Sequence, residues 1–300
     1  MSYLKHTCYL PHSIEVEEVH SSRYGQKGYK RASRAKPTKE EMAAVNERNR
    51  IKKLRRLIAT NFDSDDFHLI LTYAKNQRPD PESAKDILGK FLGSLRRAYR
   101  RLEKELKYIV VTEYKHTAIH HHVIINGIEG TPKLVKKLWT YGGTHFTPIY
   151  HLIVNEIGDT IRIIKKLWPY GGTHFTPIYE AGEVKELAAY LIKETRKSFK
   201  DADNPNKLAY SRSRNLKKPV IKTKVVKADT WRKEPVPPAG YQIRRSDIVF
   251  GINLMGYPYR YYTMVPITPY QPGREEDWIR PRKKGEKHGK RRKERAPGGC

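Results

Sequence analysis

Two stretches of this chain repeat one another almost letter for letter, and this repeat constrains the fold more than any other feature. The sequence KKLWTYGGTHFTPIY at 136–150 returns 29 residues later as KKLWPYGGTHFTPIY at 165–179. Only Thr140 and Pro169 differ between the two stretches. A fold built from this chain must therefore accommodate the same local structure twice, or set one copy aside.

The same offset extends the repeat toward the N-terminus in a diverged but chemically similar form. HVIINGIEGTPKLV, which begins at His122, aligns with HLIVNEIGDTIRII, which begins at His151. Each copy, at about 122–150 and 151–179, has the pattern of a strand, a helix and a strand. Two copies are fewer than the three or so that a repeat array requires, which favours a tandem duplication within one domain.

The segments on either side of the repeat predict further strands and helices. FHLILTY alternates like a strand, while YIVVTEY and AIHHHVIIN are apolar runs that predict an antiparallel hairpin. EVKELAAYLIKETRKSFK, from Glu183 to Lys200, predicts a helix of good propensity. Another helix opens at Asp80 and carries an apolar stripe at helical spacing, formed by Ile87, Leu88, Phe91, Leu92, Leu95, Tyr99, Leu102 and Leu106.

Shifts in composition divide the chain into four parts. We expect a basic N-terminal arm and helix at 1–60, with the helix at about 38–59, and a domain that contains the duplication at 61–200. Accessory strands follow at 201–268, and a disordered basic tail occupies 269–300. One accessory strand has tyrosines that alternate onto one face, either to stack unpaired bases or to pack on a sheet: Tyr257, Tyr259 and Tyr261.

The charge balance points to a polyanionic partner. Lys and Arg number 60 against 32 Asp and Glu, for a formal net charge of +28, which is far more than solubility requires. Nucleic acid is favoured over an anionic membrane, because no sustained basic amphipathic helix carries an apolar face. A solvated helix face is the alternative for the first two of the candidate DNA-binding residues, which are Arg55, Arg56, Arg212, Arg214, Lys217 and Lys218.

The sequence argues against several other kinds of protein. No stretch reaches the roughly 20 apolar residues that cross a bilayer, and MSYLKHTCYLPH lacks the apolar core of a secretory signal. We therefore expect a cytoplasmic protein without a membrane partner. Only Cys8 and Cys300 are present, which argues against a disulfide framework, a thiolate metal site and a catalytic cysteine.

Three consecutive histidines on one predicted strand form a candidate metal site. His120 and His122 project from one face, while His121 takes the outward place on the other. A centred hairpin loop of two or four residues places Glu113 directly opposite His120, whereas a three-residue loop would break this pairing. Two neutral imidazoles and a carboxylate suit a divalent ion such as Mn²⁺ or Mg²⁺. The alternative is a strand whose histidines only pack in the core.

Tyr190 is the candidate nucleophile for phosphodiester chemistry at such a site. It lies in the middle of a predicted helix, with Lys193 three residues later on the same face. Lys193 could hold the scissile phosphate or ease the charge on the leaving oxygen. The commoner reason for a tyrosine in a helix is core packing, and that alternative stays open.

Taken in order, FHLILTY, AIHHHVIIN and AAYLIKE resemble the three motifs of rolling-circle replication initiators of the HUH endonuclease superfamily, the replication-associated proteins of phages and plasmids. The resemblance covers about Phe67 to Lys197. The His-hydrophobic-His motif falls on residues 120–122, with His121 at the position that is usually apolar. The Tyr-x-x-Lys motif falls on Tyr190 and Lys193.

The resemblance also extends to Glu113, which lies seven residues before His120. In initiators of circular single-stranded DNA viruses, a glutamate about eight residues before the first histidine supplies a third metal ligand. The family implies an α+β fold in which helices flank a central, five-stranded antiparallel sheet. It also implies cleavage of single-stranded DNA at an origin, which is often a hairpin.

The chemistry that the resemblance implies is a transesterification. Tyr190 would attack the phosphorus, leaving a 5′-phosphotyrosine link and a free 3′-hydroxyl, with the divalent metal polarising the phosphate. A later 3′-hydroxyl could reverse the step and close a circle. The chain has no Gly-rich phosphate loop of the Walker type, so a host helicase and a polymerase are expected partners.

Two other classes of function stay open at this point. One is a different HUH enzyme, either a transposase or a conjugative relaxase. The other is a non-catalytic nucleic-acid-binding protein, in which the histidines pack in the core and charge alone provides the affinity.

The duplication bears directly on this choice. His120 and His122 correspond to Ile149 and His151 in the second copy, which therefore cannot form the histidine pair. We predict that the metal strand comes from the first copy and that one unit is looped out or packed at a sheet edge. If the second copy displaced the first in the sheet, Tyr190 would face no metal.

Overall fold

The computed structural model describes residues 2–20, 38–63, 65–115, 118–149, 181–198, 208–227, 231–232, 234–252, 256–267 and 275–281. The protein has an α+β fold with antiparallel sheets, as predicted. The chain divides into two compact units. The larger unit comprises 8–12 and 26–221, and the smaller unit comprises 1–7, 13–25 and 222–300.

The larger unit contains four helices and five strands among its described residues. The helices are α1 (Lys39–Asn61), α2 (Pro81–Arg101), α3 (Thr131–Leu138) and α4 (Ala181–Ser198). The strands follow the numbering of the whole chain, which starts in the smaller unit, and are β3 (Asp66–Thr72), β4 (Tyr108–Lys115), β5 (Ala118–Ile125), β6 (Thr144–Ile149) and β7 (Ser211–Arg212).

The five strands form one antiparallel sheet in the order β6-β3-β5-β4-β7. β4 and β5 form the predicted hairpin, and Lys115 pairs with Ala118 across a two-residue loop. In this register Glu113 lies opposite His120, as the centred loop predicts. Both sides of the sheet are apolar, because the strands present alternate residues to two separate helical layers.

Helices α2 and α3 cover one face of the sheet. The predicted stripe of α2 supplies Leu88, Phe91, Leu92, Leu95 and Tyr99 to a buried cluster with strand residues such as Leu69 and Val123. The helix begins at Asp80, whose side chain accepts a hydrogen bond from the amide of Ser83. It ends at Arg101, so the stripe extends too far: Leu102 is exposed, and Leu106 is buried beyond the helix.

Helices α1 and α4 cover the opposite face. They bury Leu54, Leu57, Ile58, Ala188 and Leu191 against Ile109, Val111 and Ile124 of the hairpin. The predicted helix at about 38–59 is confirmed as α1, which opens with a capping box between Thr38 and Glu41. At its end the Asn61 side chain bonds the backbone of Lys217 in both directions, at 2.7 and 2.8 Å.

The first copy of the duplication is part of this sheet. Its residues form the end of β5, then α3, then the edge strand β6, which confirms the strand-helix-strand pattern for that copy. The second copy, at 151–179, lies outside the described residues. The strand that pairs with β3 and β4 therefore carries His120 and His122 of the first copy.

The smaller unit is a second sheet. Its strands are β1 (Ser2–Tyr9), β2 (Ile14–His20), β8 (Val220–Lys227), β9 (Tyr241–Arg244), β10 (Val249–Ile252), β11 (Pro258–Pro266) and β12 (Trp278–Ile279). They are ordered β12-β9-β11-β2-β1-β8, and β10 also pairs with β11. In its interior Arg260 is ion-paired with Glu18 at 2.6 Å and lies over the ring of Trp231.

Two parts of this sheet differ from the sequence-based expectation. β1 and β2 lie in the segment interpreted as a basic arm, and β12 lies in the segment interpreted as a disordered tail. In both places a few buried apolar residues are scattered among many charges, which hides their alternation. The arm at 21–37 and the tail at 282–300 lie outside the described residues.

The predicted tyrosine face is present on β11 and the residue before it. Tyr257, Tyr259 and Tyr261 are all half-buried, and the ring of His20 stacks on Tyr257 with 3.6 Å between centroids. The opposite side of β11 buries Tyr262 and Met264. The structure thus shows packing for at least one of these rings, and base stacking stays a prediction.

Gly142, in the first copy of the repeat, provides a test of which copy occupies the sheet. A Cβ atom there would overlap the carbonyl oxygen of Thr72 and lie 2.6 Å from the amide nitrogen of Ala74. Because both neighbouring atoms are backbone, we expect Gly142→Ala to lower the free energy of unfolding by about 1–3 kcal/mol, as measured by urea denaturation.

Two matched substitutions serve as controls for Gly142→Ala. Gly89 lies in α2 with open space around it, so Gly89→Ala should raise stability by about 0.5–1 kcal/mol. Gly171 is the equivalent glycine of the second copy. A loss of stability in Gly171→Ala as large as that in Gly142→Ala would contradict the assignment of the first copy to the sheet.

Candidate nuclease site

The candidate site lies on the face of the sheet that α1 and α4 cover. His122 Nε2 lies 3.6 Å from Glu113 Oε2, and both side chains are only 3% exposed. His120 is half-buried and lies directly opposite Glu113 on the neighbouring strand. The structure therefore places the three predicted metal ligands on one face of the β4–β5 hairpin.

His68 on β3 is a member of this site that the sequence analysis did not identify. Its Nε2 atom lies 3.3 Å from His122 Nδ1, and the two rings are nearly parallel with 5.5 Å between centroids. Burial, reinforced by the nearby His122 and His145, lowers the pKa of His68 to about 3, so the ring is neutral at physiological pH. The signal for it was present, since His68 breaks an otherwise apolar strand next to β5.

The contact with His68 determines how His122 can act. A neutral imidazole has one N–H donor and one acceptor nitrogen. If His122 presents its Nε2 lone pair toward Glu113 and an ion, its Nδ1–H must donate to Nε2 of His68. Such an outer partner fixes the ring orientation and raises ligand basicity, which makes His68 a positioning residue for His122.

Tyr190 on α4 lies beside His122. The two ring centroids are 5.3 Å apart and the rings meet edge to face, although the residues are far apart in the chain. Ala188, Leu191 and Ile192 are buried and hold this part of α4 against the sheet. Tyr190 itself is 42% exposed, which argues against simple core packing as its role. Lys193, one turn further on, is exposed.

His121 points to the opposite face, as predicted, but that place is not outward. The residue is 0% exposed, because α2 and α3 cover this side of the sheet. Tyr73 Oη lies 2.8 Å from Nε2 and Thr112 Oγ1 lies 2.9 Å from Nδ1, so both ring nitrogens have hydroxyl partners. Burial, together with His122 and His120, lowers the pKa of His121 to about 3. It is a neutral core histidine.

The donor set of His120, His122 and Glu113 is chemically suited to a divalent ion. Two ligands bound at about 2.1 Å lie roughly 3.0–3.6 Å apart, which is comparable with the 3.6 Å between His122 and Glu113. Among the described residues, however, no three His, Cys, Asp or Glu side chains are grouped closely enough to hold a metal. Binding by all three would require side-chain movement, and the partly exposed His120 is the least enclosed of them.

The candidate DNA-binding residues fall into two groups. Arg55 and Arg56 of α1 are 8% and 7% exposed, so neither fits a solvated helix face or ready access to a DNA strand. They are buried because this part of α1 packs closely in the larger unit, as Leu54, Leu57 and Ile58 show. The remaining four are exposed near β7, where a strand could reach them: Arg212, Arg214, Lys217 and Lys218.

Comparisons with known proteins agree with this geometry. Residues 66–199 match a family model described as a replication-associated protein of the ORF2 type. The matched span covers the sheet strands β3 to β6 and helix α4, and it therefore includes Glu113, His122 and Tyr190. It supports a replication-initiator role for a protein of this fold. No curated protein and no solved structure gives a significant match.

None of the helices in the described ranges is both long and apolar enough to span a membrane.

The buried hydroxyl pair around His121 generates a stability prediction. Thr112→Val keeps the shape of the side chain but removes the partner of His121 Nδ1, which we expect to cost about 1–3 kcal/mol in urea denaturation. Thr60→Val is the matched control, because the Thr60 hydroxyl only bonds back to the carbonyl of Arg56 in its own helix. The control should change stability by less than about 0.5 kcal/mol. Equal effects would contradict the assigned role of Thr112.

Proposed function

We propose that this protein is a rolling-circle replication initiator of the HUH type, which nicks and rejoins single-stranded DNA at an origin. The observation that carries the proposal is the contact between Tyr190 and His122. Packing brings an exposed tyrosine of α4 to a buried His–Glu pair on the hairpin, which is the arrangement that tyrosine transesterification needs. The replication-associated family match over 66–199 supports the same role.

The proposed reaction is an exchange of phosphoesters. The Tyr190 hydroxyl attacks the scissile phosphorus, a bond forms between the Tyr190 oxygen and phosphorus, and the bond from phosphorus to the 3′-oxygen breaks. The phenolic proton is lost, and the leaving 3′-oxygen takes up a proton. The products are a 5′-phosphotyrosine link and a free 3′-hydroxyl that can prime synthesis by a polymerase.

The other residues of the site support this exchange. Lys193 lies one turn from Tyr190 and carries a positive charge that can hold the scissile phosphate. His120, His122 and Glu113 would hold Mn²⁺ or Mg²⁺, which when bound supplies Lewis-acid polarisation of the phosphate. His68 keeps the His122 ring in the orientation that faces Glu113. Glu113 and His122 are almost fully enclosed, which strengthens electrostatic interactions between them.

Rejoining uses the same residues in reverse. The phosphotyrosine link keeps the phosphoester bond, so an incoming 3′-hydroxyl can attack it and release Tyr190. The sequence contains no Walker-type loop that would supply strand opening from ATP. A host helicase is therefore part of the proposal, with a single-stranded or hairpin origin as the substrate.

The central test is a covalent adduct at Tyr190. A fluorescent hairpin oligonucleotide that carries the origin, incubated with protein and Mn²⁺, should give a labelled band that survives denaturing electrophoresis. Tyr190→Phe should abolish the band, because the attacking oxygen is gone, and so should His120→Ala. Tyr210→Phe is the matched control, since Tyr210 is packed beside the same helical layer. An undiminished adduct in Tyr190→Phe would refute the proposal.

A deletion tests the contribution of the second copy. Removing 151–179 joins Tyr150 to Glu180 and preserves the sequence TPIYEAG that precedes α4 in the intact chain. Because the described sheet and His122 belong to the first copy, we expect this variant to form the adduct at a rate within about twofold of the intact protein. Removing 122–150 instead deletes His122, and this matched deletion should form no adduct. Activity in the second variant would mean that the first copy is not the one that supplies the site.

A further inference from the structure

A basic cleft next to α2 takes no part in the proposed cleavage. It has a volume of about 600 Å³ and lies at the β7 edge of the sheet. α2 covers the face opposite His122, so the cleft is separate from the candidate nuclease site. Its lining combines four arginines with polar groups and only one carboxylate: Arg96, Arg100, Glu105, Leu106, Tyr108, Arg212, Ser213, Arg214 and Asn215.

Two different elements position these arginines. Arg96 and Arg100 lie one turn apart on α2 and therefore share a face of that helix. On the other wall, Ser213 bonds the backbone of Tyr108 twice, through its amide at 3.0 Å and its hydroxyl at 3.1 Å. Ser213 is thereby buried between Arg212 and Arg214, which are both exposed. The backbone of the arginine wall is thus anchored even though its charged ends face solvent.

The charge in the cleft is not balanced by the protein. Glu105 is the lone carboxylate of the lining, and its Oε2 atom accepts a hydrogen bond from the Asn215 amide at 3.2 Å. Within the described ranges, no carboxylate forms an ion pair with Arg100, Arg212 or Arg214. The cleft therefore presents an excess of guanidinium groups to solvent, which costs folding stability through mutual repulsion unless an anion compensates it.

We propose that this cleft binds the phosphate backbone of a DNA strand outside the cleavage site. Guanidinium groups bind phosphate oxygens through paired N–H donors, and arginines on two walls can contact successive phosphates. A long polyanion also fits the net charge of +28 better than a small metabolite does. The choice of DNA rests on the proposed function, whereas the location of the site rests on the cleft itself.

The test measures binding in a protein that cannot cleave. In a Tyr190→Phe background, a fluorescein-labelled single strand of mixed sequence is titrated by fluorescence anisotropy at KCl concentrations from about 50 to about 200 mM. Arg96→Gln/Arg100→Gln should weaken binding about tenfold at the lower salt concentration. It should also reduce the slope of log affinity against log salt by about 1.4, or about 0.7 for each phosphate that the variant no longer neutralises.

The matched control removes the same charges from the same helix. Arg97 and Arg101 are exposed, have the same spacing and do not line the cleft. Arg97→Gln/Arg101→Gln should change the affinity less than about threefold and leave the slope nearly unchanged. Arg214→Gln, on the other wall, should reduce the slope by about 0.7. Thermal melts of all variants should agree with the parent within a few degrees, because the substituted side chains are exposed.

Two results would overturn the inference. If the two double variants weaken binding equally, the effect is general charge and the cleft has no special role. If neither weakens binding, DNA does not bind in the cleft. Since adduct formation is measured separately, in protein with Tyr190 intact, failure of the cleft leaves the proposed cleavage standing. Failure of cleavage likewise leaves the binding result interpretable.

Discussion

The pairing of β4 with β5 is the constraint on which the candidate site depends. Its register places Glu113 opposite His120 and leaves His122 on the same face, toward α4. A slip of one residue would turn Glu113 and the histidine pair to opposite sides of the sheet, because side chains alternate along a strand. The apolar residues of the hairpin resist such a slip. Ile124 is buried under α1 and α4, and Val123 is buried under α2 and α3, so a slip would disrupt both cores together.

Burial then divides the work among neighbouring imidazoles. His121 and His68 are enclosed so fully that the pKa of each falls to about 3, and both are neutral where the protein functions. His121 is used up by two hydroxyl partners in one core. His68 instead contacts His122 on the other face and orients it. The same residue type thus serves packing, orientation and contact with Tyr190 according to strand phase and neighbouring helices.

Much of the larger unit could be predicted from local patterns, since alternation and helical spacing depend on near neighbours in the chain. The α2 stripe, the hairpin register and the α4 helix are of this kind. β1, β2 and β12 could not be predicted in this way. Their buried residues, such as Val16 and Trp278, are few and lie among charges, and their pairing partners are distant in sequence. The burial of Arg55 and Arg56 was missed for the related reason that helix packing depends on tertiary contacts.

The sequence by itself determined the helices and strands of the larger unit, the pairing of Glu113 with His120, and Tyr190 and Lys193 as candidates on one helix. Only the tertiary structure decided that Tyr190 meets His122, that His68 orients that ring, and that arginines from α2 and β7 share one cleft. It also placed the first copy of the repeat in the described sheet. The physical reason is range: alternation and loop length act between close residues, whereas docking α4 depends on two apolar faces that fit together in space.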